Sequence, residues 1–155
     1  MARGVVTGPR PAPTPPPKRV LVDTDVLSYL LRNDSRAAQF APLLEGSVIV
    51  VSFQTVAELY RWALERGFGE RRMQELEGLL RRLVVVPSSN ALCAEWAAIH
   101  AGARARGRTV SPQDAWIAAT ARLYDLPLLT NNRRDFEQVD GVTLLEPPPP
   151  PAPPG

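Results

Sequence analysis

The chain has 155 residues, enough for one domain, and 17 of them are proline. A single cysteine, Cys93, excludes a disulfide framework within the chain, and with one histidine, His100, there is no zinc spacing. The formal charge is +2, but Arg3, Arg10, Lys18 and Arg19 lie in or beside the N-terminal segment; without them 14 basic residues face 16 acidic ones, so bulk charge does not mark the body as a nucleic-acid binder.

Residues 1–17 (MARGVVTGPRPAPTPPP) and 147–155 (PPPPPAPPG) are proline-rich and have little to bury, so both are expected to be disordered tails around a folded body at 18–146. RVLV at 19–22 predicts a strand and 25–31 a short helix. A helix over 35–44 begins at Ser35, a good N-cap residue. SVIVVS at 47–52 is the second strand, followed by an amphipathic helix over 53–66 that ends before Gly67. The segment 70–82 spaces Met73, Leu76, Leu79, Leu80 and Leu83 helically. RLVVVP at 82–87 is the third strand, and the Ala-rich run 89–106 is a helix that stops at Gly107. A helix over 111–124 opens with Ser111 at the N-cap and Pro112 at the first helical position. LPLLT at 126–130 is the fourth strand, and VTLLE at 142–146 is expected to form a last edge strand.

These strands are apolar on both faces and alternate with helices, which argues for a parallel α/β sheet covered on each side. Trp62, Trp96 and Trp116 fall on predicted helices and read as packing anchors. Cys93 and His100 read as ordinary packing or surface positions. Two basic runs, Arg104, Arg106 and Arg108, and Arg133 with Arg134, read first as solvated faces; the functional reading is phosphate contact. The start of the chain lacks the long apolar core of a signal peptide or membrane span, so no membrane association and a cytoplasmic location are expected.

Four acids stand where a strand hands over to a helix, or close to it. Asp23 follows VLV; as a helix cap it competes with Thr24 and Asp25, and a second acid two residues on makes a purely structural role less economical. Glu58 lies one turn into the helix after VIVVS, with Arg61 offering an ordinary ion pair. Asp114 is the third helical residue after Ser111, where an acid also caps free N–H groups; the small residues of AWIAATA let that helix pack closely on the sheet. Asp135 sits in a polar loop or short helix after TNNRR. In a parallel sheet all four gather at one rim, the crevice where open α/β folds place their active sites. Acids without a basic partner suit a hard divalent cation, Mg²⁺ or Mn²⁺, and a metal-dependent enzyme acting on phosphate esters.

VLVDTDVLSYLL, SFQTVAELYRWAL, SPQDAWIAATARLYDLPLLTNN and RRDFEQVDGVTLLE together resemble a PIN-domain ribonuclease, of the VapC type found as the toxin of VapBC toxin–antitoxin pairs. The resemblance spans 19–146 and implies a PIN-like three-layer α/β/α fold with a central, mainly parallel sheet. It implies a metal-binding triad of Asp23, Glu58 and Asp114, with Asp135 as the fourth acid, direct or through water. One common form of the family has an acid where this chain has Asn132; Thr130 and Asn132 would then orient ligands or a phosphate oxygen. It further implies a Mg²⁺- or Mn²⁺-dependent endoribonuclease leaving 5′-phosphate and 3′-hydroxyl ends, with structured RNA such as transfer RNA among its targets. A homodimer formed through early helices and a VapB-like antitoxin whose tail enters the acidic groove are also implied. One rival is a PIN-like binding module that has lost catalysis. Another, a haloacid-dehalogenase-like phosphatase suggested by Asp23-Thr24-Asp25, needs a lysine near the phosphate, and the sole lysine is Lys18, before the first strand.

Overall fold

The computed structural model describes residues 8–10, 12, 18–146 and 152–155. Expectations for the remaining tail positions lie outside the described residues; positions 8–10, 12 and 152–155 are exposed and carry neither helix nor strand.

The elements run β1 (Arg19–Val22), α1 (Thr24–Leu31), a 3₁₀ turn (Ser35–Gln39), α2 (Ala41–Leu44), β2 (Val48–Ser52), α3 (Phe53–Glu65), α4 (Glu70–Leu80), β3 (Val84–Val86), α5 (Asn90–Ala105), α6 (Pro112–Leu123), β4 (Leu128–Leu129) and α7 (Arg133–Glu137). All four strands are parallel, in the order β3-β2-β1-β4. Successive side chains of a strand point to opposite faces, and the sheet uses both. Leu21, Val50, Val86 and Leu128 pack under α5, α6 and α7 with Leu92, Ile99, Ile117 and Phe136. Val20, Val22, Val51 and Leu129 pack under α1 to α4 with Leu27, Phe40, Leu59 and Leu76. The result is the expected three-layer α/β/α arrangement.

Three departures from the sequence reading have local causes. The helix expected over 35–44 is a 3₁₀ turn and a separate four-residue α2, because Pro42 inside a continuous helix would lack an N–H and meet the carbonyl of Ala38. Its N-cap is Asp34, which accepts from the Arg36 N–H at 2.9 Å, rather than Ser35. Coverage on both faces fails at β3, the edge strand, where Val84 and Val85 are 50% and 40% exposed. The edge strand expected at 142–146 shrinks to a parallel bridge between Leu144 and Leu128. Strand β4 has only two residues, so there is little for a fifth strand to pair with: Leu128 donates to the Thr143 carbonyl and accepts from Leu145, each at 2.9 Å.

The strand order fixes where a site can form. From β1 the chain steps outward through β2 to β3, then returns to place β4 on the other side of β1. The connections leaving the carboxyl ends of β1 and β4 therefore diverge, and a crevice opens between them, the topological switch point of a parallel sheet. Among the described residues, no helix is long and apolar enough to cross a membrane.

Candidate metal centre

Asp23 is the first residue beyond β1 and the N-cap of α1. Its main-chain N–H donates to the Leu129 carbonyl of β4 at 2.9 Å, which ties it to the switch point. One carboxylate oxygen accepts from the Thr24 N–H at 2.7 Å and the other from the Thr130 hydroxyl at 2.7 Å. Thr130 in turn accepts from the Asn132 N–H at 2.9 Å, so a short chain of hydrogen bonds orients this acid from the far strand. Burial, and then the charge of Asp25, push the Asp23 carboxyl up to about 7; the Thr130 and Thr24 donors offset part of that rise.

Asp25, in the first turn of α1, accepts from the Val26 N–H at 2.7 Å, and burial raises its carboxyl as well. Glu58 stands one turn into α3, which Ser52 caps by accepting from the Gln54 N–H at 3.2 Å. The first turns of α1 and α3 are joined by the Thr24 hydroxyl donating to that of the buried Thr55 at 3.0 Å, which sets Glu58 relative to Asp23. The Gln54 amide donates to Glu58 at 3.3 Å. Arg61, the alternative partner for Glu58, pairs with Glu65 instead at 3.7 Å. On α6, Ser111 accepts from the Asp114 N–H at 3.1 Å, and the buried face Ala115, Ala118, Ala119 and Ala121 seats the helix closely on the sheet. Burial raises the half-buried Asp114 carboxyl, and the charges of Asp135, Glu58 and Asp25 raise it further. Asp135 lies on α7, anchored by the buried Phe136, and accepts a hydrogen bond from the Asn132 side-chain amide.

Five carboxylates from four elements thus repel one another at the switch point. Among the described residues, none of them takes part in an ion pair with Arg, Lys or His. Hard oxygen donors, surplus negative charge and the raised carboxyl groups of Asp23, Asp25 and Asp114 fit a divalent cation. Among the described residues, no three of the acids surround one point closely enough to hold an ion, so ligation would require their side chains to draw together.

The model of the PIN domain matches residues 20–142, nearly the whole folded body. The chain belongs to the PIN domain family. It is 30% identical over 121 residues to Ribonuclease VapC2 of Haemophilus influenzae, covering 78% of this chain and 92% of that one. To the tRNA(fMet)-specific endonuclease VapC of Shigella flexneri it is 29% identical over 124 residues, covering 80% and 94%. Among solved structures, a chain of the DNA-bound VapBC of Salmonella typhimurium superposes with a TM-score of 0.72 at 26% identity, covering 83% of this chain and 97% of that one.

In this PIN domain the four acids singled out in the sequence, Asp23, Glu58, Asp114 and Asp135, lie near enough for Asp114 to feel the charge of Glu58 and Asp135 and for Asp23 to feel that of Asp114, with Thr130 and Asn132 as hydrogen-bond partners of Asp23 and Asp135. In the sequence Asp25 stands as an alternative helix cap and as the second acid of the phosphatase-like Asp23-Thr24-Asp25 run, outside the expected metal site. Its carboxylate nevertheless belongs to the cluster, where its charge raises both Asp23 and Asp114. Lys18 precedes β1 whereas Asp23 follows it, so the lysine that phosphatase chemistry needs stands at the opposite rim of the sheet. Of the second basic run, Arg133 is turned to Glu137 and Glu146, each at 3.7 Å, and to the Leu145 carbonyl at 2.9 Å.

Proposed function

We propose that the chain is a metal-dependent endoribonuclease, the toxin of a VapBC-type pair, and that Asp23, Glu58 and Asp114 hold Mg²⁺ or Mn²⁺ with Asp135 completing the site. The observation that carries this reading is the gathering of carboxylates without a basic partner at the switch point of the parallel sheet. When bound, the ion activates water and neutralises charge developing on the scissile phosphate. The protein's own part is to fix the acids: Thr130 and the Thr24 N–H hold both oxygens of Asp23, Ser111 holds the helix turn that carries Asp114, and Asn132 holds Asp135. Asp25, whose charge bears on both Asp23 and Asp114, adds to the field that attracts the ion. Single-stranded loops of RNA, including those of transfer RNA, are the fitting substrate because their backbone can be reached.

The same negative rim suits a basic tail of a VapB-like antitoxin, which would silence the enzyme in the cytoplasm until needed. A second copy is expected to pair through the early helices; Tyr60 and Leu64, one turn apart on α3, are 37% and 72% exposed. The test is cleavage of RNA by purified protein. Asp23→Asn and Asp114→Asn each remove one charge and almost no volume, so both should fold and neither should cleave. EDTA should stop the wild type, and Mg²⁺ or Mn²⁺ should restore it. Cleavage by either variant at the wild-type rate overturns the assignment.

A further inference from the structure

The run Arg104, Arg106, Arg108 is split by the way α5 ends. Gly107 has φ +68, a left-handed conformation that glycine adopts without strain, and the chain reverses there. The Gly107 N–H donates to the Arg104 carbonyl at 3.0 Å and the Arg108 N–H to the Ala103 carbonyl at 2.9 Å, the paired bonds of a Schellman cap. Arg106 is directed to Asp140, with which it forms an ion pair, and to the Gly102 carbonyl at 3.2 Å. Arg104 and Arg108 instead line one groove of about 510 Å³, together with His100 and Thr109. Both are exposed, and among the described residues neither has an acidic partner. The groove also holds the buried polar side-chain atom that lacks a hydrogen-bond partner among the described residues, His100 Nε2.

This groove is joined to the acidic cluster by Gln138, whose side-chain amide donates to the Thr109 carbonyl at 3.4 Å and to the Asp135 carbonyl at 3.3 Å. Arg108 lies three residues before Ser111, the cap of α6, a reach of at most ~10 Å of extended chain. The wall between them is rigid: Trp96 on α5 donates to the Pro112 carbonyl at 3.2 Å, and Trp116, two residues beyond Asp114, stacks on Trp96 with ring centroids 5.1 Å apart. Phe53, at the start of the helix that carries Glu58, packs edge-on against Trp116 at 5.2 Å, and His100 lies 4.3 Å from Trp96. These rings are only partly buried but pack on one another, so they hold α5 and α6 in a fixed relation.

We infer that Arg104 and Arg108 form a substrate-binding site for a backbone phosphate of the RNA strand as it leaves the carboxylate cluster. The inference rests on the ribonuclease reading and extends it. A centre crowded with carboxylates repels a polyanion except where metal sits, so an RNA nuclease of this kind needs cations beside the site to hold the flanking strand. Two unpaired guanidinium groups on a rigid wall supply them, and guanidinium geometry suits phosphate oxygens. An acidic polypeptide would be the other polyanion to fit; RNA is favoured because the groove adjoins the chemistry through Ser111 and Asp114.

The test measures binding of labelled single-stranded RNA to the full chain in EDTA across a salt series, with the RNA checked for integrity afterwards. Arg104→Gln with Arg108→Gln should weaken binding roughly tenfold at low salt, and the slope of log affinity on log salt should become shallower by about 0.7 for each phosphate that is no longer neutralised. Arg104→Lys with Arg108→Lys should keep most of the slope. Arg106→Gln, which loses only the Asp140 pair, should leave the slope unchanged even if it lowers Tm. A purely structural role for Arg104 at the C-terminus of α5 would move Tm and not the slope. An unchanged slope in the double Gln variant, no salt-dependent RNA binding by the wild type, or loss of polyglutamate binding with RNA binding intact each overturns the inference. The two readings fail separately: a shallower slope beside an Asp23→Asn variant that still cleaves supports the phosphate site and sinks only the catalytic assignment.

Discussion

Burial and the charge of Asp25 push the Asp23 carboxyl from 3.8 up to about 7, so in the unfolded chain this group gives up its proton at lower pH than in the fold. A group raised on folding contributes stability that is fully present below its unfolded value and lost as pH climbs through its folded one. For Asp23 the window runs from about pH 4 to about pH 7, and the raised Asp25 and Asp114 act in the same sense. Metal-free protein should therefore melt at lower temperature at about pH 8 than at about pH 5. Asp23→Asn should flatten that slope and raise Tm at the alkaline end, and adding Mg²⁺ should raise Tm there for the wild type but much less for the variant. Equal melting temperatures at the two pH values in EDTA would show that the acids do not strain the fold. Thr130 donates to Asp23, so it is expected to act through that acid, as a positioning residue. Thr130→Val keeps the shape and removes the donor, so it should lower kcat by about 10- to 100-fold and shift the acid limb of the rate profile upward in pH. Thr130→Ser should restore most of both. A Tm loss with an unmoved pH profile would reduce Thr130 to a packing residue.

Helix α7 is a single turn, held by Phe136 and lacking a side-chain cap bond, and it carries the acid with the weakest structural support. Asp135→Asn should therefore reduce cleavage less than Asp23→Asn and recover in part as Mg²⁺ is raised. Asn132→Asp replaces the donor to Asp135 with a like charge, so it should lower the melting temperature without metal and tighten metal binding. A metal titration of the cleavage rate checks both. If Asp135→Asn is as inactive as Asp23→Asn at every Mg²⁺ concentration, Asp135 is as essential to the metal site as Asp23. The helices that carry the other acids were legible in the sequence because their signals are local: Ser111 and Pro112 mark the start of α6, and Gly67 marks the chain just past α3. Pro42 carried an equally local signal that the helix over 35–44 must break, and the run of helix formers around it masked it. What no local pattern encodes is the bond between Thr130 and Asp23, which needs the strand order. The exposure of β3 likewise follows from its place at the sheet edge, which its Val-rich sequence does not reveal. The role of Asp25 was hidden for another reason: a helix-start acid looks the same whether it caps or joins a charge cluster.

Both apolar layers are built from residues between Val20 and Leu145, and among the described residues none from the tails belongs to either. A chain trimmed to 18–146 should accordingly keep its melting temperature and its cleavage rate. A drop of several degrees on trimming would mean that a tail packs on the body. The order of the strands has a further consequence for how the protein comes into being. Strand β1 is made first, yet its neighbour β4 is the last strand made, and the Thr130 hydroxyl reaches Asp23 across 107 positions of sequence. At a synthesis rate of roughly 5–20 residues per second, ~5–20 s pass between the two residues. Through that interval the emerging chain carries Asp23 and later Glu58 with one flank of β1 open, and Asp135 has yet to be translated. With the proposed site, such a nuclease would be inert while most of it is being made, and the ribosome, its message and the transfer RNAs feeding it would work beside the nascent chain before the cutting centre exists.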